Sequence, residues 1–114
     1  MKYLFQHYPG HSMEEYERLS EDEQQAIVDE YLAIRELPGV VGGGQLAPIE
    51  TATTVRVQNG ETLLTDGPFI DAKEHVGGYL VMELENLDAA IEIAARVPAA
   101  RMGGAVEVRP LVER

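Results

Sequence analysis

Cysteine is absent from the 114-residue chain, which excludes a disulfide framework, a thiol nucleophile and a thiolate metal site. A reducing cytoplasm fits that composition. Cations are scarce: nine Lys and Arg stand against twenty Asp and Glu, a formal net charge of −11. Nucleic acid is thereby disfavoured as a partner, because phosphate binding needs clustered cations and is driven by counterion release. Anionic membrane surfaces are disfavoured on the same ground, and the simplest reading of the charge is a soluble, self-repelling surface. Long hydrophobic runs are missing too. The apolar stretch at the N-terminus is broken by Gln6 and His7, too short for a signal segment, and nothing approaches the length of a membrane span. The three histidines, His7, His11 and His75, fall at a strand end and in two loops. They lack metal-ligand spacing such as HExxH, so neither a metal nor another cofactor is expected.

What is present is enough apolar material, 45% of residues, for one compact domain over residues 1–114 without metal or disulfide staples. Residues 3–8 alternate as a first strand that Pro9-Gly10 ends. Residues 12–19 suit a short helical lead-in. Ser20-Glu21-Asp22-Glu23 is a capping-box pattern, and Ile27, Tyr31 and Ile34 follow at helical spacing to about Leu37, where Pro38-Gly39 stops the helix. The acidic residues of that helix read as its solvated face. Gly42-Gly43-Gly44 interrupts the strand at 40–46 and leads into no helix, so it predicts a bulge or close backbone approach rather than a phosphate loop. Asn59-Gly60 predicts a type I′ hairpin between strands at 52–58 and 61–65. Residues 70–75 read as a polar connection or a single helical turn. A strand at 79–84 follows, then a helix capped by Asn86 or Asp88 with Leu87, Ala90, Ile91 and Ala94 on one face, ending at Pro98. Residues 99–104 read as a loop and 105–111 as a last strand. The order is α+β, a ferredoxin-like β-α-β-β-α-β with an extra hairpin strand. Both helices then lie on one sheet face, and a sheet-to-sheet homodimer is the simplest cover for the other.

Asp66-Gly67-Pro68-Phe69 stands out where the hairpin ends, combining a hydrogen-bond acceptor, a residue free to take positive φ, a fixed φ and an aromatic anchor. Ordered loops of this kind often carry sites. Together with Thr51 to Val57, Ala72-Lys73-Glu74, Gly77-Gly78-Tyr79, Met1-Lys2-Tyr3 and Val106 to Pro110, this motif resembles the DGPF proteins of the YCII-related family, in order over nearly the whole chain. The resemblance implies a dimeric α+β barrel built by a homodimer. It also implies a possible regulatory association with extracytoplasmic-function sigma factors, and in some wider-family members a His-Asp pair acting on aromatic compounds. The histidine of that pair is expected on the first helix, and residues 20–37 contain none.

Strand alternation sets Val55 and Val57 on one face and Thr54, Arg56 and Gln58 on the other. With the valines under the helices, Arg56 would point into the open or dimer-covered face and could hold a carboxylate or phosphate. Its other reading is an ion pair with Asp66, Glu74 or Glu83. Asp66 is a candidate general base or ligand-orienting acceptor, or else an Asx-type cap of the turn. Lys73 and Glu74 can supply a cation and a second carboxylate to the same small-molecule pocket, or form a solvated pair. Gly67, Pro68 and Phe69 are the structural turn, with Phe69 as a hydrophobic latch. His7, a second candidate catalytic group, is placed on the open sheet face near Arg56, with a satisfied polar residue as the plainer account.

Overall fold

A computed structural model describes residues 1–70 and 74–114. Among these residues six strands and four α-helices follow one another as β1 (Lys2–Tyr8), α1 (Met13–Glu17), α2 (Glu21–Arg35), β2 (Val40–Gln45), β3 (Thr53–Gln58), β4 (Glu61–Asp66), β5 (Gly78–Glu83), α3 (Leu87–Ala94), α4 (Pro98–Arg101) and β6 (Ala105–Pro110). The main sheet is antiparallel in the order β2-β5-β1-β6. Setting the hairpin aside, that is the split β-α-β arrangement of a ferredoxin-like fold.

Local chemistry accounts for the element ends. Ser20 and Glu23 close a reciprocal capping box on α2, with Ser20 Oγ accepting from the Glu23 amide and Glu23 from the Ser20 amide, each at 3.1 Å. That geometry holds the Glu23 carboxyl below its usual range, because both the backbone and the side chain of Ser20 favour the ionised form. Asn86 caps α3. Asn59 (φ 51°) and Gly60 (φ 78°) form the hairpin turn, in which both central residues take positive φ. The register between β2 and β5 shifts at Val40/Gly42. A Cβ on Gly43 would lie 2.6 Å from the Tyr79 carbonyl oxygen, so this glycine is where the two backbones come too close for a side chain.

The core lies between the main sheet and the helices. Tyr3 and Phe5 of β1, Leu80 and Met82 of β5, Ile34 of α2, Ala90 and Ala94 of α3, and Val97 and Ala99 around α4 are all buried. The odd-numbered residues of β1 therefore face the helices. On the other sheet face Leu4, Gln6 and Tyr8 stand beside Tyr79 and Val81, with Tyr8 Oη donating to Glu107 at 3.2 Å.

Several expectations are corrected. The hairpin does not add a strand to the main sheet: β3 and β4 form a separate two-stranded sheet, because their extensive contacts are only with each other. Val55 and Val57 are accordingly 58% and 67% exposed rather than packed under the helices. Residues 98–101, expected to lie partly in a loop, form α4, since Pro98 sits at the first helical position where its fixed φ favours the helix and its missing N–H costs nothing. On α3 the buried stripe is Ala90 and Ala94, while Leu87 and Ile91 are exposed. The side chains of α2 and α4 also meet through an ion pair between Arg101 and Glu30.

Candidate functional site

A cavity of about 820 Å³ opens between α2 and the main sheet. Its size falls in the range of small-molecule sites. His7, Gly78 and Leu80 supply its sheet side, and Ile27, Tyr31 and Ile34 its helix side. Residues 44–48, leaving β2, close one edge, and His11, Met13 and Tyr16 from the first turn and α1 close another. The wall is mainly apolar because the helix presents its core-facing stripe beyond the point where the sheet's side chains fill the gap.

His7 is the polar exception. It shares the parity of Tyr3 and Phe5 on β1, so it faces the helices and not the open sheet face on which it was expected. Only 9% of the residue is exposed. Its ring lies 5.8 Å from the Tyr31 ring, centroid to centroid and tilted by 34°. Nε2 is closed to solvent and has no hydrogen-bond partner among the described residues. Burial pushes the imidazole pKa below its ordinary value, so the ring is neutral at pH 7 and keeps one nitrogen as an acceptor. The same burial raises the Tyr31 hydroxyl. Gly78 lies beside the ring, where a Cβ would make ordinary contact with His7 Nδ1 at 3.5 Å and approach the Gly44 carbonyl oxygen more closely, at 3.2 Å.

The other sequence-predicted residues gather elsewhere. Asp66 ends β4 opposite Thr53, and its carboxylate makes no hydrogen bond among the described residues. The turn is tied instead by the Gly67 amide donating to Ala52 at 2.7 Å and by Thr54 Oγ1 donating to the Gly67 carbonyl at 2.7 Å. Gly67 has φ 101°, a conformation that a side chain would strain. Arg56 lies 5.5 Å over the Phe69 ring, and Phe69 is itself exposed. The ion pairs among the described residues are Met1–Glu83, Arg18–Glu14 and Arg101–Glu30, none of which includes Arg56. Pro68 continues the turn and Glu74 is exposed in the connection to β5. Lys73 lies outside the described residues, as does half of the connection expected at 70–75. The structure thus brings Arg56 and Phe69 together beside the Asp66 turn and separates this group from the His7 cavity.

Helical spacing marks Ile27, Tyr31 and Ile34 of α2 only as a core-facing stripe, so that pattern does not reveal the cavity. The signal for it lay in the alternation of Lys2 to Tyr8, where His7 falls on the face of the two buried aromatics.

A family model for the YCII-related domain matches residues 1–114. The chain belongs to the YCII-related family. A relative from Rhizobium meliloti (strain 1021), described as an uncharacterised protein, is 36% identical over 101 residues, covering 88% of this chain and 78% of that one. Among solved structures, 5-chloro-2-hydroxyhydroquinone dehydrochlorinase (TftG) from Burkholderia phenoliruptrix AC1100, in complex with 2,5-dihydroxybenzoquinone, aligns at 20% identity with a TM-score of 0.48 over 100% of this chain and 96% of that chain. That likeness is too loose to carry chemistry across to this YCII-related protein. No helix among the described residues is long and apolar enough to cross a membrane.

Proposed function

We propose that this YCII-related protein is a homodimer that binds a small, largely apolar molecule between α2 and the main sheet, with His7 as the hydrogen-bonding group of the site. The observation that carries the reading is a neutral imidazole with an unpartnered buried nitrogen in the wall of a cavity of ligand size. An unsatisfied buried polar atom costs about 1–3 kcal/mol. A ligand N–H or O–H meeting the ring after a small rotation about its Cβ–Cγ bond removes that cost. An anion is the wrong occupant, because the ring is neutral and the wall apolar. If the site is catalytic, His7 is the proton acceptor, with its lowered pKa keeping it unprotonated at neutral pH.

The second copy is supported by the open sheet face, where Leu4, Tyr79 and Val81 have no layer over them. Sheet-to-sheet packing of two copies would cover them and build an α+β barrel. A sigma-factor association finds no feature that favours it.

Indole, an apolar ring with one N–H donor, is a suitable probe. Calorimetric titration should show saturable binding, weakened about tenfold in His7→Phe through loss of one hydrogen bond. Absence of saturable binding to the wild-type protein, or equal affinity in the variant, would sink the reading.

A further inference from the structure

The chain presents 8216 Å² of accessible surface, whereas a compact monomer of its 12.6 kDa mass presents about 6,200 Å². Its radius of gyration, 16.2 Å, likewise exceeds the roughly 13 Å of a compact chain of this length. The excess of about 2,000 Å² matches one chain's share of an obligate homodimer interface, which buries about 2,000–5,000 Å² in total. Much of it lies on the hairpin. Cross-strand pairing puts Val55 opposite Leu64 and Val57 opposite Thr62, so one hairpin face carries Val55, Val57 and Leu64, all well exposed. A two-stranded hairpin alone is marginal in water, and such a face calls for cover.

We propose that the β3–β4 hairpin is an exchange arm. Its Val55, Val57 and Leu64 face lies across the mouth of the cavity in a second copy of this chain, and that copy returns the same contact. Two surfaces of a second copy compete for the arm. The open sheet face bears Gln6, Glu107 and Arg109 between its apolar residues, whereas the cavity mouth bears the exposed apolar side chains of Met13, Val28, Leu32 and Leu46. The apolar arm fits the mouth. Charge agrees with that choice: Asp66, opposite Thr53 on the apolar face of the hairpin, meets a rim that holds Arg35. The arm thereby brings Asp66 to the edge of the other copy's His7 cavity, joining two groups that a single chain keeps apart. Arm exchange of this kind is a low-cost route to a symmetric dimer. The proposal goes beyond the ligand reading and stands or falls without any ligand.

Because the chain has no cysteine, disulfide trapping reads the contact directly. Leu64→Cys protein is mixed with Leu32→Cys protein, oxidised, and the products are identified by mass spectrometry; a covalent dimer containing one of each is expected. A Leu64→Cys chain that links instead to Val81→Cys on the open sheet face, that links only to itself, or that links to nothing overturns the proposal. In parallel, the double variant Val57→Asp/Leu64→Asp should keep its far-ultraviolet circular dichroism, since both side chains are in water in the single chain. Its dimer dissociation constant by light scattering should rise about tenfold or more. An unchanged dissociation constant also overturns the proposal.

Discussion

The main sheet and the β3–β4 hairpin are built from the same antiparallel alternation, yet one is a core and the other an exposed arm. In β1 alternate residues deliver Tyr3 and Phe5 against helices. In the hairpin the equivalent period delivers Val55, Val57 and Leu64 to solvent. Period-2 patterning determines which residues share a face. Whether that face is covered within the same chain depends on whether a helix connects the flanking strands on that side, and here the helices belong to β1-β2 and β5-β6.

The strongest test of the contrast compares truncations. Phe5 is fully buried, so Phe5→Ala should lose about 3–5 kcal/mol in denaturant unfolding. Leu64→Ala should cost less than about 0.5 kcal/mol in the monomeric range of concentration. A Leu64 effect that matches the Phe5 effect at every concentration would show that the hairpin is integral to the single-chain core.

His7 offers a second, pH-dependent break in the comparison. Its folded-state pKa is lowered by burial, so below the ordinary value of 6.5 the unfolded chain takes up a proton that the native ring resists. Its contribution to stability is therefore whole above that value and is lost as pH falls toward the lowered native pKa. In His7→Phe this contribution disappears and the orphaned nitrogen with it, for a gain of up to about 1–3 kcal/mol at acid pH. Thermal melts between about pH 7 and pH 5 should fall more steeply for wild type than for the variant. Parallel slopes would mean that the native ring takes up its proton as readily as the unfolded chain does, and that burial does not hold it neutral.

Much of the element order was readable from punctuation: the Ser20 to Glu23 box, Pro38-Gly39, Asn59-Gly60 and Gly77-Gly78 each mark an element end that the structure contains. The detachment of the hairpin was not readable, because Thr53 to Asp66 has the same alternation whether or not a neighbour strand exists. The site was half legible. His7 was singled out, but Leu4 and Tyr8 obscured the parity of β1 and so the face on which the imidazole lies. The Asp66 motif drew attention because special backbone residues are conspicuous in sequence, whereas an apolar cavity is made of residues that look like ordinary core. Ser20→Ala tests the punctuation itself. It removes one member of the capping box, with an expected loss of about 1 kcal/mol in chemical denaturation, and no loss would mean that α2 is held by packing alone.

The smallest expected effect returns to the arm. Arg56 over Phe69 is a cation–π contact at 5.5 Å on an exposed surface, where such a pair is worth about 0.5–1 kcal/mol. Since β3 and β4 pair extensively only with each other, that energy stabilises the hairpin and not the main sheet. Arg56→Ala should therefore raise amide hydrogen exchange in residues 53–66 while leaving exchange in β1 and β5 and the global unfolding midpoint unchanged. Slower-exchanging core amides that respond together with those of the hairpin would instead show that the two sheets unfold as one unit, and the contrast between arm and core would fail at its base.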